Sequence, residues 1–233
     1  MKRLRGWFPR NDLKIALWMM FLLTWTIELG YAGRLPVRVA FPVYLLLGYG
    51  FGISAILMTG ITQGRKAIGA LLKRFLIWRV GWVWYLAALA IYPAVFLSAA
   101  LLNSLISGQP LDFSQVFARQ ILPVKGSLAV LILPFFLFDA LTNGEEIGWR
   151  GYVLPRLQAR RGALAASLIL GLIWGFWHLP KYLDVPIQVF ALFMVKTMID
   201  SLLYTWLYNN TGGSLLLTTL LHAAGNTAGV FLP

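Results

Sequence analysis

Residues 163–179 read ALAASLILGLIWGFWHL and residues 187–208 read IQVFALFMVKTMIDSLLYTWLY, with only PKYLDVP between them. Apolar runs of this length fit a hydrocarbon layer about 30 Å thick, which a helix crosses in about 20 residues at 1.5 Å each. Working outward, further runs fall near 13–32, 38–60, 80–102, 122–147 and 213–232. The expected fold is all-α, a polytopic transmembrane helix bundle of about seven spans, with residues 1–233 forming a single integral membrane domain.

Composition supports that reading. Hydrophobic residues make up 59% of the 233 positions and charged residues only 12%, whereas a soluble domain carries roughly a quarter charged residues. The 10 Trp, 9 Tyr and 15 Phe suit a membrane interface, where one end of a ring is apolar and the other wet. The formal net charge of +12 fits basic flanks that orient membrane spans, and no basic motif points to nucleic acid. Absence of cysteine excludes disulfides, thiolate metal sites and a cysteine nucleophile. The basic stretch Met1 to Lys14 before apolar Ile15 to Ile27 has the outline of a signal peptide, but no small-residue cleavage site follows, so it reads as the first span.

Basic residues concentrate in alternate flanks. Lys2, Arg3, Arg5, Arg10 and Lys14 precede or open the first span; Arg65, Lys66, Lys73, Arg74 and Arg79 lie between the second and third; Arg150, Arg156, Arg160 and Arg161 follow the fourth. The other loops hold only Arg34, Arg38, Arg119, Lys125 and Lys181. By the positive-inside rule the N-terminus is expected in the cytoplasm and, with seven spans, the C-terminus outside. The sequence stops without a polar tail at Phe231-Leu232-Pro233, which leaves room for a further C-terminal helix.

Ionisable residues inside spans cost about 2.5 kcal/mol or more to insert and are therefore functional candidates. Here they are Asp139, Glu145, Glu146, His178, Lys196, Asp200 and His222; Glu28 lies near a span end, where it reaches water. Lys196 and Asp200 share a helix face at i, i+4 and read first as a structural ion pair. Asp139 reads as a hydrogen-bonded structural acid. In Glu145-Glu146-Ile147-Gly148-Trp149-Arg150, Glu146 and Arg150 are also i, i+4 and should pair, leaving Glu145, about 100° around the helix, without its own counter-ion. Such a carboxylate is placed to serve as a general base.

Depth connects these residues to others. Glu145 lies sixteen residues before Arg161 and His178 seventeen after it. A helical hairpin turning at Arg160-Arg161-Gly162 would carry each about 24 Å from the turn and hence to one level. Pro155 should interrupt the first arm, and Leu179-Pro180 should end the second at mid-depth. In the last span His222 and Asn226 share one face at i, i+4, and His222 lies about 12 Å beyond Ser214.

Three ordered motifs then carry a resemblance: EEIGWRGYVLPRLQARRG at 145–162, WGFWHLP at 174–180 and LYNNTGGSLLLTTLLHAAGN at 207–226. Together they resemble the CPBP family (CAAX protease and bacteriocin-processing) of intramembrane proteases, related to the CAAX prenyl endopeptidase. The resemblance covers residues 125–230 as a catalytic core, while the first three spans match only as generic helices. Glu145, Glu146 and Arg150 meet the family's Glu-Glu-x-x-x-Arg, and His222 and Asn226 meet its His-x-x-x-Asn. His178 meets Phe-x-x-x-His, with Trp174 in the place of Phe.

What the resemblance implies is an intramembrane endopeptidase, with Glu145 and His178 activating a water and His222 and Asn226 donating to the oxyanion. Glu146, Arg150 and Trp174 take supporting roles. Its substrate would be a membrane-associated or lipidated peptide, with the bilayer as the other partner, no nucleic acid and no required cofactor. The setting would be the cell membrane of a prokaryote. A zinc-dependent version would use Glu145, His178 and His222 as ligands, although the His-Glu-x-x-His spacing of many zinc proteases is absent. Neither Gly-x-Ser-Gly nor Gly-x-Gly-Asp occurs. From other classes come a transporter or proton relay through Glu145, His178, His222, Lys196 and Asp200, and a non-catalytic peptide-binding protein. A relay should tolerate Asn226→Ala better than an oxyanion-hole enzyme would.

Overall fold

In the computed structural model, residues 2–45, 48–114, 116–121 and 127–233 are described, residues 2–10 and 121 by their backbone alone. Lys125 and the start of the expected fourth span lie outside the described residues, as do Leu46 and Leu47 of the second. The elements are α1 (Lys2–Tyr31), α2 (Phe41–Tyr44), α3 (Tyr49–Gln63), α4 (Arg65–Leu72), α5 (Trp82–Ser107), α6 (Phe117–Ile121), α7 (Ala129–Thr142), α8 (Glu145–Gly148), α9 (Leu154–Gln158), α10 (Ala163–Trp177), α11 (Ile187–Asn210) and α12 (Leu215–Phe231). There is no strand among the described residues.

The all-α membrane bundle read from composition is the architecture found. Asn11–Tyr31 within α1, α5 and α11 are each long and apolar enough to cross a membrane, and α10 and α12 are shorter apolar helices. Large apolar side chains face outward along these helices: Trp18 is 68% exposed, Trp82 75% and Ile106 86%. In water such a surface would drive aggregation, and in lipid it is the solvated face.

Two expected spans are subdivided. The second is shared between α2, with Pro42 in its first turn, and α3. The fourth breaks after α7, where Asn143 leaves the helical region (φ −85°, ψ 97°) and its Oδ1 accepts from the Glu145 backbone N–H at 3.0 Å. This side-chain turn competes with helix continuation and restarts the helix at Glu145. The expected break at Pro155 takes a different form: between α8 and α9, Trp149–Val153 forms a π-helical turn. Proline supplies no N–H to the carbonyl four residues earlier and crowds it, and the wider turn relieves both problems without ending the helix.

Packing then sets the site. α10 lies along α11, α12 against α5 and α7, and α3 against α1 and α8. The α10–α11 approach is close because Gly171 and Gly175 form a small-x-x-x-small face; a Cβ at Gly171 would stand 2.6 Å from Met198 Cα and one at Gly175 2.6 Å from Met194 Sδ. At the far end of α10, Trp25 Nε1 of α1 donates to the Trp177 carbonyl at 2.8 Å. Arg34 pairs with Asp184, and Lys181 lies 3.9 Å from Glu28. These contacts hold the chain on either side of His178 against α1.

Candidate active site

The expected Glu146–Arg150 pair forms and is sealed. Arg150 Nη1 donates to Glu146 Oε1 at 2.8 Å with both side chains fully buried. The guanidinium lies over two rings, 4.7 Å from the Trp174 centroid and 4.1 Å from that of Tyr204, and cation–π attraction offsets part of its desolvation. Glu146 Oε1 also accepts from His222 Nδ1 at 3.0 Å, so α8 and α12 are joined by a hydrogen-bonded chain from guanidinium to carboxylate to imidazole.

Glu145 turns elsewhere, as its position around the helix requires. It has no basic partner among the described residues, and two indole N–H groups converge on one of its oxygens. Trp149 Nε1 donates to Oε2 at 3.2 Å and Trp174 Nε1 donates to the same atom at 3.3 Å. Two donors on one oxygen orient the carboxylate and, among the described residues, leave Oε1 as the free acceptor.

Trp174 is the hub of the arrangement. Its indole holds Glu145, and its backbone carbonyl lies 2.9 Å from His178 Nδ1. Since a carbonyl only accepts, Nδ1 carries the hydrogen, and the neutral form of the ring then has its lone pair at Nε2. The His178 ring is packed edge-on by Trp177 at 4.4 Å and Phe193 at 4.8 Å. The Trp174 and His222 rings are 5.9 Å apart. Glu145, His178 and His222 are therefore gathered around one residue, Trp174.

Asn226 is placed differently. It is exposed at the rim, where its Nδ2 lies 3.1 Å from both carboxylate oxygens of Asp139 on α7. Asp139, read from sequence as a structural acid, is thus hydrogen-bonded beside the candidate site. A cavity of about 110 Å³ is lined by His178, His222 and Asn226 together with Tyr92, Lys196 and Asp200. Lys196 Nζ bonds Asp200 Oδ2 at 2.6 Å, so the expected ion pair exists but stands in the cavity wall.

Trp149, Tyr204 and Tyr92 were not among the candidate residues. Helical spacing could have found two of them, because Trp149 is four residues from Glu145, and Tyr204 continues the Lys196–Asp200 face at the same interval. Tyr92, on α5, is brought in by tertiary packing alone. As for zinc, no group of three or more His, Cys, Asp or Glu side chains is placed to hold a metal ion among the described residues. Glu145, His178 and His222 share Trp174 as a neighbour without converging as ligands.

Residues 125–228 match the family described as Type II CAAX prenyl endopeptidase Rce1-like, in agreement with the family read from the three motifs. The chain is also 33% identical over 92 residues to CAAX prenyl protease 2 of Methanococcus maripaludis. That alignment covers 38% of this chain and 30% of the relative.

Proposed function

With the Rce1-like match of its C-terminal half as premise, we propose that this chain is an intramembrane endopeptidase that hydrolyses a peptide bond in a membrane-associated or lipidated peptide. A prenylated peptide belongs to that class. The observation that carries the reading is the assembly of Glu145, His178 and His222 around Trp174, beside a cavity that His178 and His222 line.

A water held between Glu145 Oε1 and His178 Nε2 attacks the carbonyl carbon of the scissile bond. Its proton passes to this Glu/His pair as the C–O bond forms, and is returned to the amine nitrogen as the C–N bond breaks. His222, as an imidazolium with Nδ1–H on Glu146, offers Nε2–H to the oxyanion. Asn226 contributes an N–H, since its amide has two hydrogens and Asp139 can be met by one of them. Donors of this kind are worth about 3–4 kcal/mol each in well-studied cases. Glu146 and Arg150 act through His222, and Trp149 and Trp174 act through Glu145. No step is routed through zinc, because the side chains that would ligate it do not converge. An N-terminus in the cytoplasm, supported by the distribution of Lys and Arg, and a prokaryotic cell membrane as the setting belong to the same proposal.

Cleavage of a quenched fluorescent lipopeptide library by the purified protein in nanodiscs tests the reading. Glu145→Ala, His178→Ala and Asn226→Ala should each abolish or cripple cleavage, and chelator should leave the wild type active. Full activity in Glu145→Ala would remove the proposal, while loss on chelation with recovery on added zinc would replace the water-activating pair by a metal.

A further inference from the structure

A second cavity, about 450 Å³ in volume, lies apart from the candidate active site, between the end of α3, α4 and α9. Its size falls in the range of small-ligand sites. Three arginines line it, Arg74, Arg156 and Arg160, against one carboxylate, Asp12. The flanking stretches 63–79 and 154–162 contain no Asp or Glu, so nothing local balances the excess.

The arginines differ in how they are held. Arg156 is fixed on three sides: Nε donates to Asp12 Oδ2 at 2.6 Å, Nη1 to the Tyr152 carbonyl at 3.0 Å, and the guanidinium lies 3.4 Å over the Tyr152 ring. Its Nη2 has no hydrogen-bond partner among the described residues. Arg74 is steadied by the Tyr208 hydroxyl. Neither Arg74 nor Arg160 pairs with a carboxylate among the described residues. Thr59 and Gln63 add uncharged hydrogen-bonding groups to the wall, and small residues keep the space open; at Gly151 a Cβ would stand 2.7 Å from Leu71 Cδ1.

We infer that this cavity binds a phosphate-bearing anion. Planar guanidinium forks suit phosphate oxygens, and the two arginines beyond the Arg156–Asp12 pair supply the charge that a phosphate carries. Basic pockets between helices at a membrane surface take anionic lipid headgroups, and inorganic phosphate offers the same chemistry from solution. The inference does not depend on proteolysis, and its test does not read cleavage.

The full chain, in a zwitterionic detergent, is titrated separately with inorganic phosphate, with a short-chain phosphatidylglycerol and with the matching phosphatidylcholine. Thermal unfolding and native mass spectrometry report binding. Phosphate or phosphatidylglycerol should bind and raise the unfolding midpoint, phosphatidylcholine should not, and Arg74→Gln and Arg160→Gln should each weaken binding about five-fold. Arg160 is exposed, so its variant tests the site even if Arg74→Gln folds poorly. Lys73→Gln, an exposed neighbour outside the cavity, should bind like the wild type. A response to phosphate alone identifies a free anion, and a response confined to the lipid identifies a headgroup. Equal binding of all three compounds, binding of none, or equal weakening by Lys73→Gln and Arg160→Gln would overturn the inference.

Discussion

Glu146–Arg150 and Lys196–Asp200 are written in the same grammar, opposite charges four residues apart, and both form contacts under 3 Å. Their surroundings differ completely. Both partners of the first are fully buried, whereas Lys196 is 52% exposed and Asp200 11%. The difference arises from where each helix face points. The α8 face meets α12 and two aromatic rings, while the α11 face meets a cavity. Spacing along a helix makes a pair, and the environment decides what breaking it costs: several kcal/mol where removal strands a buried charge, and about 1 kcal/mol or less at an exposed site.

The hardest test of this contrast is Arg150→Ala. It should lower stability by about 3–5 kcal/mol by leaving Glu146 buried with His222 as its one remaining partner among the described residues, read as a large fall in the unfolding midpoint. Changing both partners to apolar residues of similar volume should recover much of that loss. If Arg150→Ala unfolds like the wild type, the burial assigned to α8 is wrong.

A smaller effect is expected at Glu145, where neutral indoles replace a counter-ion. Trp174→Phe keeps the ring over Arg150 but removes one N–H donor. Hydrogen bonds to charged groups are worth about 1.5–3 kcal/mol, and with Trp149 still in place the lower end applies. Cleavage should fall about ten-fold, more than stability falls, and a cleavage rate at the wild-type level would show that Trp174 acts through packing alone.

Smallest of all, Lys196→Gln removes only the half-exposed cation and keeps an N–H donor for the largely buried Asp200, so it should change stability by about 1 kcal/mol. A loss like that of Arg150→Ala would mean that the two pairs are equivalent after all, and that the cavity wall is part of the buried core.

Much of the bundle was legible because a bilayer imposes a simple rule. Long apolar runs must be helices, since backbone groups in lipid have to bond within their own segment. That rule located α5, α10, α11 and α12 to within about five residues of their observed bounds, and in α1 it located the apolar part, Asn11–Tyr31, but not the basic start of the helix. It could not locate the break at Asn143 or the π turn before Pro155, because each depends on a side chain or a missing N–H competing with one particular backbone bond. In the candidate site, the Glu146–Arg150 and Lys196–Asp200 pairs were readable from helical geometry. The placing of Asp139 beside Asn226 was not, because α7 and α12 are far apart in sequence.

By itself, then, the sequence determined the solvent, the helical class and the local ion pairs, which follow from composition and short-range periodicity, and it carried the three ordered motifs by which the chain resembles a family. Tertiary structure alone decided that two indoles would share one oxygen of Glu145, that His222 would reach Glu146 from another helix, and that Arg74 would face the same cavity as Arg156 and Arg160 of a distant segment. Those outcomes rest on how closely helices approach and how they are rotated. Both depend on packing across long sequence separations, which no local pattern records.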